Sequence, residues 1–129
     1  MRLFDAIFGS KEERLWDRAN KFLLHDDYDD AIRIASDCIS QFPSCVEAYR
    51  VRGMAYKGKK NYEQALTDVN RTIEFEPNKE ERYYQRGLVY LDMGDSNKAI
   101  ADFNKTIELG GPTGLYTKFA KEKLGKIKG

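Results

Sequence analysis

The sequence predicts an all-α fold: a stack of three helical hairpins followed by one closing helix. Three observations predict it. Residue types recur with a period of 34. Within each period the apolar residues follow the 3.6-residue spacing of a helix and not the alternation of a strand. Turn-forming residues interrupt each period once in the middle and once at the end.

The period is visible in several columns. Ala31, Ala65 and Ala99 are 34 residues apart, as are Phe22, Tyr56 and Tyr90, and Ile39, Ile73 and Ile107. Ala19, Gly53 and Gly87 keep the step with small residues, and Pro43 and Pro77 keep it at the repeat ends. A repeat of this length is one supersecondary unit that cannot bury its apolar face alone, so such units stack.

Residues 1–10 precede the repeats. Leu3, Phe4, Ile7 and Phe8 share one face of a short helix. So short a helix is unstable alone in water. Its apolar face is therefore expected to be covered, with Phe4 and Phe8 largely buried against the first repeat or a second copy. Ser10, with Glu13 three residues on, is a capping-box pattern that opens the next helix.

Residues 11–111 hold the three repeats, at about 12–45, 46–79 and 80–112. The first turns at His25-Asp26-Asp27, the second at Gly58-Lys59-Lys60-Asn61, and the third at Met93-Gly94-Asp95. Pro43 and Pro77 end the first two, because proline disfavours helix in the residue before it; Gly110-Gly111-Pro112 ends the third. Close approach of paired helices needs small side chains, and Gly53 and Gly87, with Ala65 and Ala99, supply them. Residues 113–128 carry Leu115, Phe119, Leu124 and Ile127 as a stripe with lysines opposite, the pattern of a capping helix.

These residues carry a family resemblance. The middle repeat reads Tyr49-x2-Arg52-Gly53-x2-Tyr56, then Ala65-x3-Val69, then Pro77; the third reads Tyr83-x2-Arg86-Gly87-x2-Tyr90, then Ala99-x3-Phe103. The first is looser, with Leu15, Arg18, Ala19, Phe22, Ala31, Ala35 and Pro43. The pattern resembles the tetratricopeptide repeat over residues 12–111. That resemblance implies a right-handed α-α superhelix whose inner groove is lined by the first helix of each pair, and a non-catalytic scaffold that binds a partner protein or peptide there. Helical geometry then selects the groove-facing residues: Trp16, Asn20 and Leu23, then Arg50, Met54 and Lys57, then Tyr84, Leu88 and Leu91. An extended peptide with apolar side chains and one acidic group would suit that row. The alternative is a self-association module using the N-terminal segment or the groove.

One branch of the family grips the C-terminal carboxylate of heat-shock chaperones with lysines, asparagines and an arginine. Of its slots only Asn20 matches here; the others hold Trp16, Val51, Glu81 and Gln85. A glutamate where a lysine should attract a carboxylate argues against that ligand.

The family's large apolar slot is arginine in all three copies, Arg18, Arg52 and Arg86. Asp68 and Asp102 follow Arg52 and Arg86 by 16 residues, whereas Arg18 meets Ile34 in that register. The arginines read either as an anion-binding row or as long stems paired locally with the aspartates.

Composition excludes several other classes. The 22 basic and 21 acidic residues leave a net charge of +1, which argues against a general nucleic-acid or membrane surface. Residues 113–129 hold five lysines against Glu122, +4, so the rest of the chain carries −3. The start is too short and acidic for a secretory signal, and a cytoplasmic protein is expected. Cys38, Cys45 and the single His25 have no metal-ligand spacing, so no metal or cofactor is expected. Asp26-Asp27-Tyr28-Asp29-Asp30 lacks the glycine and distal glutamate of a calcium loop and reads as an acidic helix start. No phosphate loop, nucleophile elbow or zinc motif is present, so no enzyme is expected.

Overall fold

The computed structural model describes residues 2–128, Lys128 by its backbone alone; Met1 of the N-terminal segment lies outside the described residues. Among the described residues there are eight α-helices and no strand: α1 Leu3–Phe8, α2 Lys11–Leu24, α3 Tyr28–Gln41, α4 Val46–Gly58, α5 Tyr62–Phe75, α6 Glu80–Asp92, α7 Ser96–Gly110 and α8 Leu115–Lys128. They form two compact units, Met1–Asp68 and Val69–Gly129, whose boundary falls inside α5.

In the first unit α2 and α3 form a hairpin and α4 packs on both. The core is built from Ala19, Ala31, Ile34, Ala35, Val51 and Ala55, with Phe22, Leu23 and Tyr28 against it. Small residues at the helix contacts let the backbones approach, and the aromatics fill the space beyond. A second cluster joins Cys38, Cys45 and Ala48 to Trp16 and Phe42. Both thiols are free and buried. Burial is the main cause that raises both, Cys45 to about 12, so they are neutral and poor nucleophiles at physiological pH.

In the second unit α6 and α7 form the hairpin, and α8 packs on both. Ala99, Phe103, Ala120 and Leu124 make its core. Gly87 is the close-contact residue: a Cβ there would lie 2.6 Å from the Phe103 ring. The α7–α8 turn is pinned by Thr117, which is buried and donates a hydrogen bond to the Gly111 carbonyl at 2.7 Å.

The three mid-repeat turns share one geometry. Asp26, Lys60 and Gly94 lie 34 residues apart, and all have positive φ, 60°, 64° and 83°. Around them Asp27, Asn61 and Asp95 donate their N–H to the carbonyls of Phe22, Tyr56 and Tyr90 at 2.9 Å, the outer bond of a Schellman cap. The left-handed position belongs to Lys60, and Gly58, read from the sequence as part of that turn, instead closes α4. Its lack of a side chain accommodates the Tyr28 ring, which a Cβ would meet at 2.3 Å. A left-handed conformation costs a side-chain-bearing residue roughly 1–2 kcal/mol, part of which glycine forfeits as entropy. Lys60→Gly is therefore expected to raise stability by about 0.5–1 kcal/mol, read as a higher urea midpoint at unchanged m; an unchanged or lower midpoint contradicts it.

The N-terminal segment departs from expectation. α1 forms, and the capping box closes as predicted, with Glu13 N–H donating to Ser10 Oγ at 3.1 Å and Ser10 N–H to Glu13 Oε2 at 2.8 Å. The apolar face is not covered by the first repeat: Leu3, Phe4, Ile7 and Phe8 are 78, 54, 64 and 60% exposed. Arg14 holds the helix instead. Its guanidinium donates to Asp5 at 3.2 Å and to the Gly9 carbonyl, and lies 4.5 Å from the centre of the Phe4 ring. These contacts orient α1 by its polar side and one ring, so its fatty side stays in water.

Candidate interaction surface

The residues selected for the groove fall into the two units, and each unit treats its share differently. In the first, α2 and α4 pack side by side. Arg50 on α4 donates through Nε to Glu47 at 2.8 Å and through Nη2 to Asn20 Oδ1 on α2 at 3.3 Å. This bridge places Asn20 and Arg50 together. Trp16 and Leu23 on α2 are half-buried, Trp16 against the Cys38–Cys45 cluster and Leu23 against the alanine core. Met54 and Lys57 on α4 are half-buried as well. Arg50, one of the two cations of this surface, is paired with Glu47 on its own helix.

In the second unit Tyr84, Leu88 and Leu91 of α6 pack against the Phe103 core that α8 helps to build. The Tyr84 ring lies 5.6 Å from Tyr116 and 6.1 Å from Phe119, both on α8. Burial pushes the Tyr84 phenol up, with Glu122 adding to the effect. These three side chains therefore help to dock α8. The sequence shows that they share a helix face but not that residues beyond the last turn return to it.

Two of the three recurrent arginines, Arg52 and Arg86, are paired with aspartates and do not form an open anion-binding row. Arg52 makes a two-pronged contact with Asp68, Nε to Oδ2 at 2.8 Å and Nη2 to Oδ1 at 2.9 Å. Arg86 does the same with Asp102, at 2.9 and 2.8 Å. Each carries a third bond backwards in the chain: Arg52 to Ser36 Oγ at 3.2 Å and Arg86 to Asn70 Oδ1 at 3.0 Å. Ser36 and Asn70 are again 34 apart, so the triad recurs as a unit. The bonds to Asp68 and Asp102 push both guanidinium groups further up. Arg18, with Ile34 in the aspartate's place, instead lies 6.0 Å from the Phe22 ring.

Sequence reasoning missed Arg82. It occupies the column of Ala48 yet is fully buried, donating through Nε and Nη2 to Glu76 Oε1 at 3.0 and 2.7 Å. Its Nη1 reaches Gln85 at 3.4 Å, and Gln85 in turn donates to Glu81 at 3.2 Å. Its column reads Arg14, Ala48 and Arg82 at the 34-residue step, so a charge is not exceptional there and the sequence carries no signal of its burial. Of the carboxylate-gripping slots, Val51 and Gln85 are buried and Glu81 is engaged in this network.

The tetratricopeptide-repeat family model matches residues 46–79 and 80–109. Solved tetratricopeptide domains match nearly the whole chain. The chain belongs to the tetratricopeptide-repeat family. Among similar structures, the first tetratricopeptide domain of Spaghetti (RPAP3), solved with the HSP90 peptide SRMEEVD, is 24% identical over 92% of this chain and 90% of that one, with a TM-score of 0.79. The first such domain of human RPAP3 is 23% identical over 91% and 89%, TM-score 0.80. The Yersinia enterocolitica type III secretion translocator chaperone SycD, solved as an alternative dimer, reaches 0.82 at 14% identity over 91% of both chains. Likeness at such identities establishes the fold alone. No curated protein matches this tetratricopeptide chain by sequence. Among its described residues no helix is long and apolar enough to cross a membrane, and no group of three or more His, Cys, Asp or Glu could hold a metal ion.

Proposed function

We propose that this tetratricopeptide protein is a non-catalytic scaffold in which residues 12–45 act as the first repeat, α8 serves as the cap, and a partner peptide is recognised on the first helices. The surface of α2 and α4, with Trp16, Asn20, Leu23, Arg50, Met54 and Lys57, is the main recognition strip; Tyr84, Leu88 and Leu91 form a patch of their own on α6 of the second unit, as far as α8 leaves them exposed. The observation that carries this reading is the Asn20–Arg50–Glu47 bridge. It fixes a hydrogen-bonding centre between half-buried apolar side chains, the combination that anchors peptide ligands. Because Glu47 satisfies Arg50, the ligand is an extended peptide read by apolar side chains and neutral polar groups.

Two measurements test it. Peptides selected from a random library are expected to bind with micromolar affinity, and Trp16→Ala or Met54→Ala to weaken them by about 1–3 kcal/mol, the size of an interface anchor, while Leu24→Ala leaves binding unchanged. Equal affinity across all four proteins contradicts the assignment of the strip. The second concerns the peptide SRMEEVD, whose complex with RPAP3 is one of the similar structures. With Val51 and Gln85 buried and Glu81 in a lysine slot, calorimetry is expected to detect no binding to this chain; a micromolar constant contradicts the reading of those slots.

A further inference from the structure

The exposed face of α1 has no role in peptide recognition as proposed above. Four of the seven large hydrophobic residues that are exposed among the described residues, Leu3, Phe4, Ile7 and Phe8, lie on this one short helix. Concentration of that kind marks an interface, since scattered apolar residues need no explanation.

The helix is held in place. Arg14 fixes it through Asp5, the Gly9 carbonyl and the Phe4 ring, and Phe4 and Phe8 pack on each other at 4.8 Å. Gly9 makes the bend at φ 82°, where a Cβ would meet the Glu13 carboxylate at 2.6 Å. The entropy of ordering α1 is thus partly met before any partner arrives. Beside the helix lies a cleft of about 250 Å³ lined by Phe8, Gly9, Glu13, Arg14, Trp16 and Asp17, room for one large side chain. One surface therefore presents both an apolar protrusion and a recess in which Phe8 and Trp16 stand among charged side chains.

We propose that α1 is a dimerisation element that pairs with α1 of a second copy of this chain about a two-fold axis. Three properties select a second copy. A protrusion and a recess on the same patch are what a two-fold, self-complementary contact requires. Residues 2–18 carry Arg2, Lys11, Arg14 and Arg18 against Asp5, Glu12, Glu13 and Asp17, a net charge of zero, so two identical patches do not repel. The same neutrality gives no electrostatic attraction to an anionic membrane, where one short apolar face anchors weakly. The third is area. With ~200 Å² as the full surface of one such side chain, the exposed fractions leave about 500 Å² per copy and ~1,000 Å² for the pair, the lower bound of specific interfaces. An interface of that size gives a weak, concentration-dependent dimer.

Sedimentation equilibrium of the full chain from about 1 µM to 1 mM, a range spanning a weak interface, is expected to show mass rising from 14.9 kDa towards twice that value. Leu3→Glu with Ile7→Glu is expected to hold the monomer mass throughout, with unchanged circular dichroism because both side chains face water and neither belongs to the Arg14 contacts that hold α1. Leu24→Glu, on an exposed apolar residue outside α1, keeps the dimer. Ile7→Cys is expected to cross-link two copies under mild oxidation faster than Leu24→Cys does, as a two-fold contact near residue 7 requires; the native thiols are buried. A wild-type monomer at the highest concentration overturns the proposal, as does a dimer that survives the double substitution. Pelleting of the chain with vesicles of phosphatidylcholine and phosphatidylglycerol, lost on the double substitution, would assign the face to a membrane instead. Peptide binding on α2 and α4 is expected to persist in the Leu3/Ile7 variant, which keeps this test separate from that of the recognition strip.

Discussion

Replacing Gly87 by alanine is expected to destabilise the second unit by about 2 kcal/mol. In an exposed helix the change would help, since alanine exceeds glycine in helix propensity by ~1 kcal/mol. Here the new methyl would stand 2.6, 2.9 and 3.1 Å from three atoms of the Phe103 ring. That ring cannot withdraw. It is fully buried with Ala99, Ala120 and Leu124, and Tyr84 flanks it at 5.7 Å between centroids. Overpacking of a close-packed core costs ~1–3 kcal/mol, here taken at the upper end because three contacts are violated at once. Phe103→Val supplies the internal control, because valine stands in the same column of the middle repeat as Val69. In the Phe103→Val background Gly87→Ala is expected to be neutral or stabilising, and the double-mutant cycle gives the coupling. Guanidinium unfolding measures each term; a stabilising Gly87→Ala in the wild-type background contradicts the packing argument.

Removing one aspartate of the recurrent triad is expected to cost more. Asp102 has a side chain only 6% exposed, and Arg86 is 25% exposed. Asp102→Ala leaves Nε and Nη2 of Arg86 facing a partly dry space with only the Asn70 bond remaining. Breaking a buried pair from one side costs ~3–5 kcal/mol, and the partial exposure of the arginine places the expected loss near the lower figure, about 3 kcal/mol. Replacing both partners by leucine is expected to recover most of it, to within about 1 kcal/mol of wild type, because no buried charge is then left unpaired. Such a result separates what the pair contributes to stability from what it contributes to helix registry. A single variant within ~0.5 kcal/mol of wild type, the range of ordinary surface changes, contradicts the burial of the pair.

The two predictions differ in how far they were legible in the sequence. The arginine–aspartate pairs follow from a step of 16 residues repeated at 34, and two-pronged contacts occur at both. The close contact at Gly87 was legible as a small residue in a column of small residues, but its neighbour was not. The ring of Phe103, not the methyl of Ala99, meets Gly87, because side-chain length decides which residue of a facing helix crosses the gap. Arg82 shows the reverse failure: a charged residue was passed over because burial of a guanidinium depends on Glu76, which approaches from a loop.

Helix spacing determines which residues share a face, and the 34-residue period determines that hairpins recur. Neither depends on distant contacts, so the hairpins, the places of their turns and the Ser10 capping box could be read from local chemistry. What covers each face is a property of three-dimensional return paths. Only the tertiary structure decided that α8 comes back onto Tyr84, Leu88 and Leu91, that Asn20 on α2 reaches Arg50 on α4, and that Arg14 grips α1 by its polar side. The exposure of Phe4 and Phe8 follows from that last contact. A four-residue apolar stripe demands cover in water, but the demand does not specify the molecule that meets it.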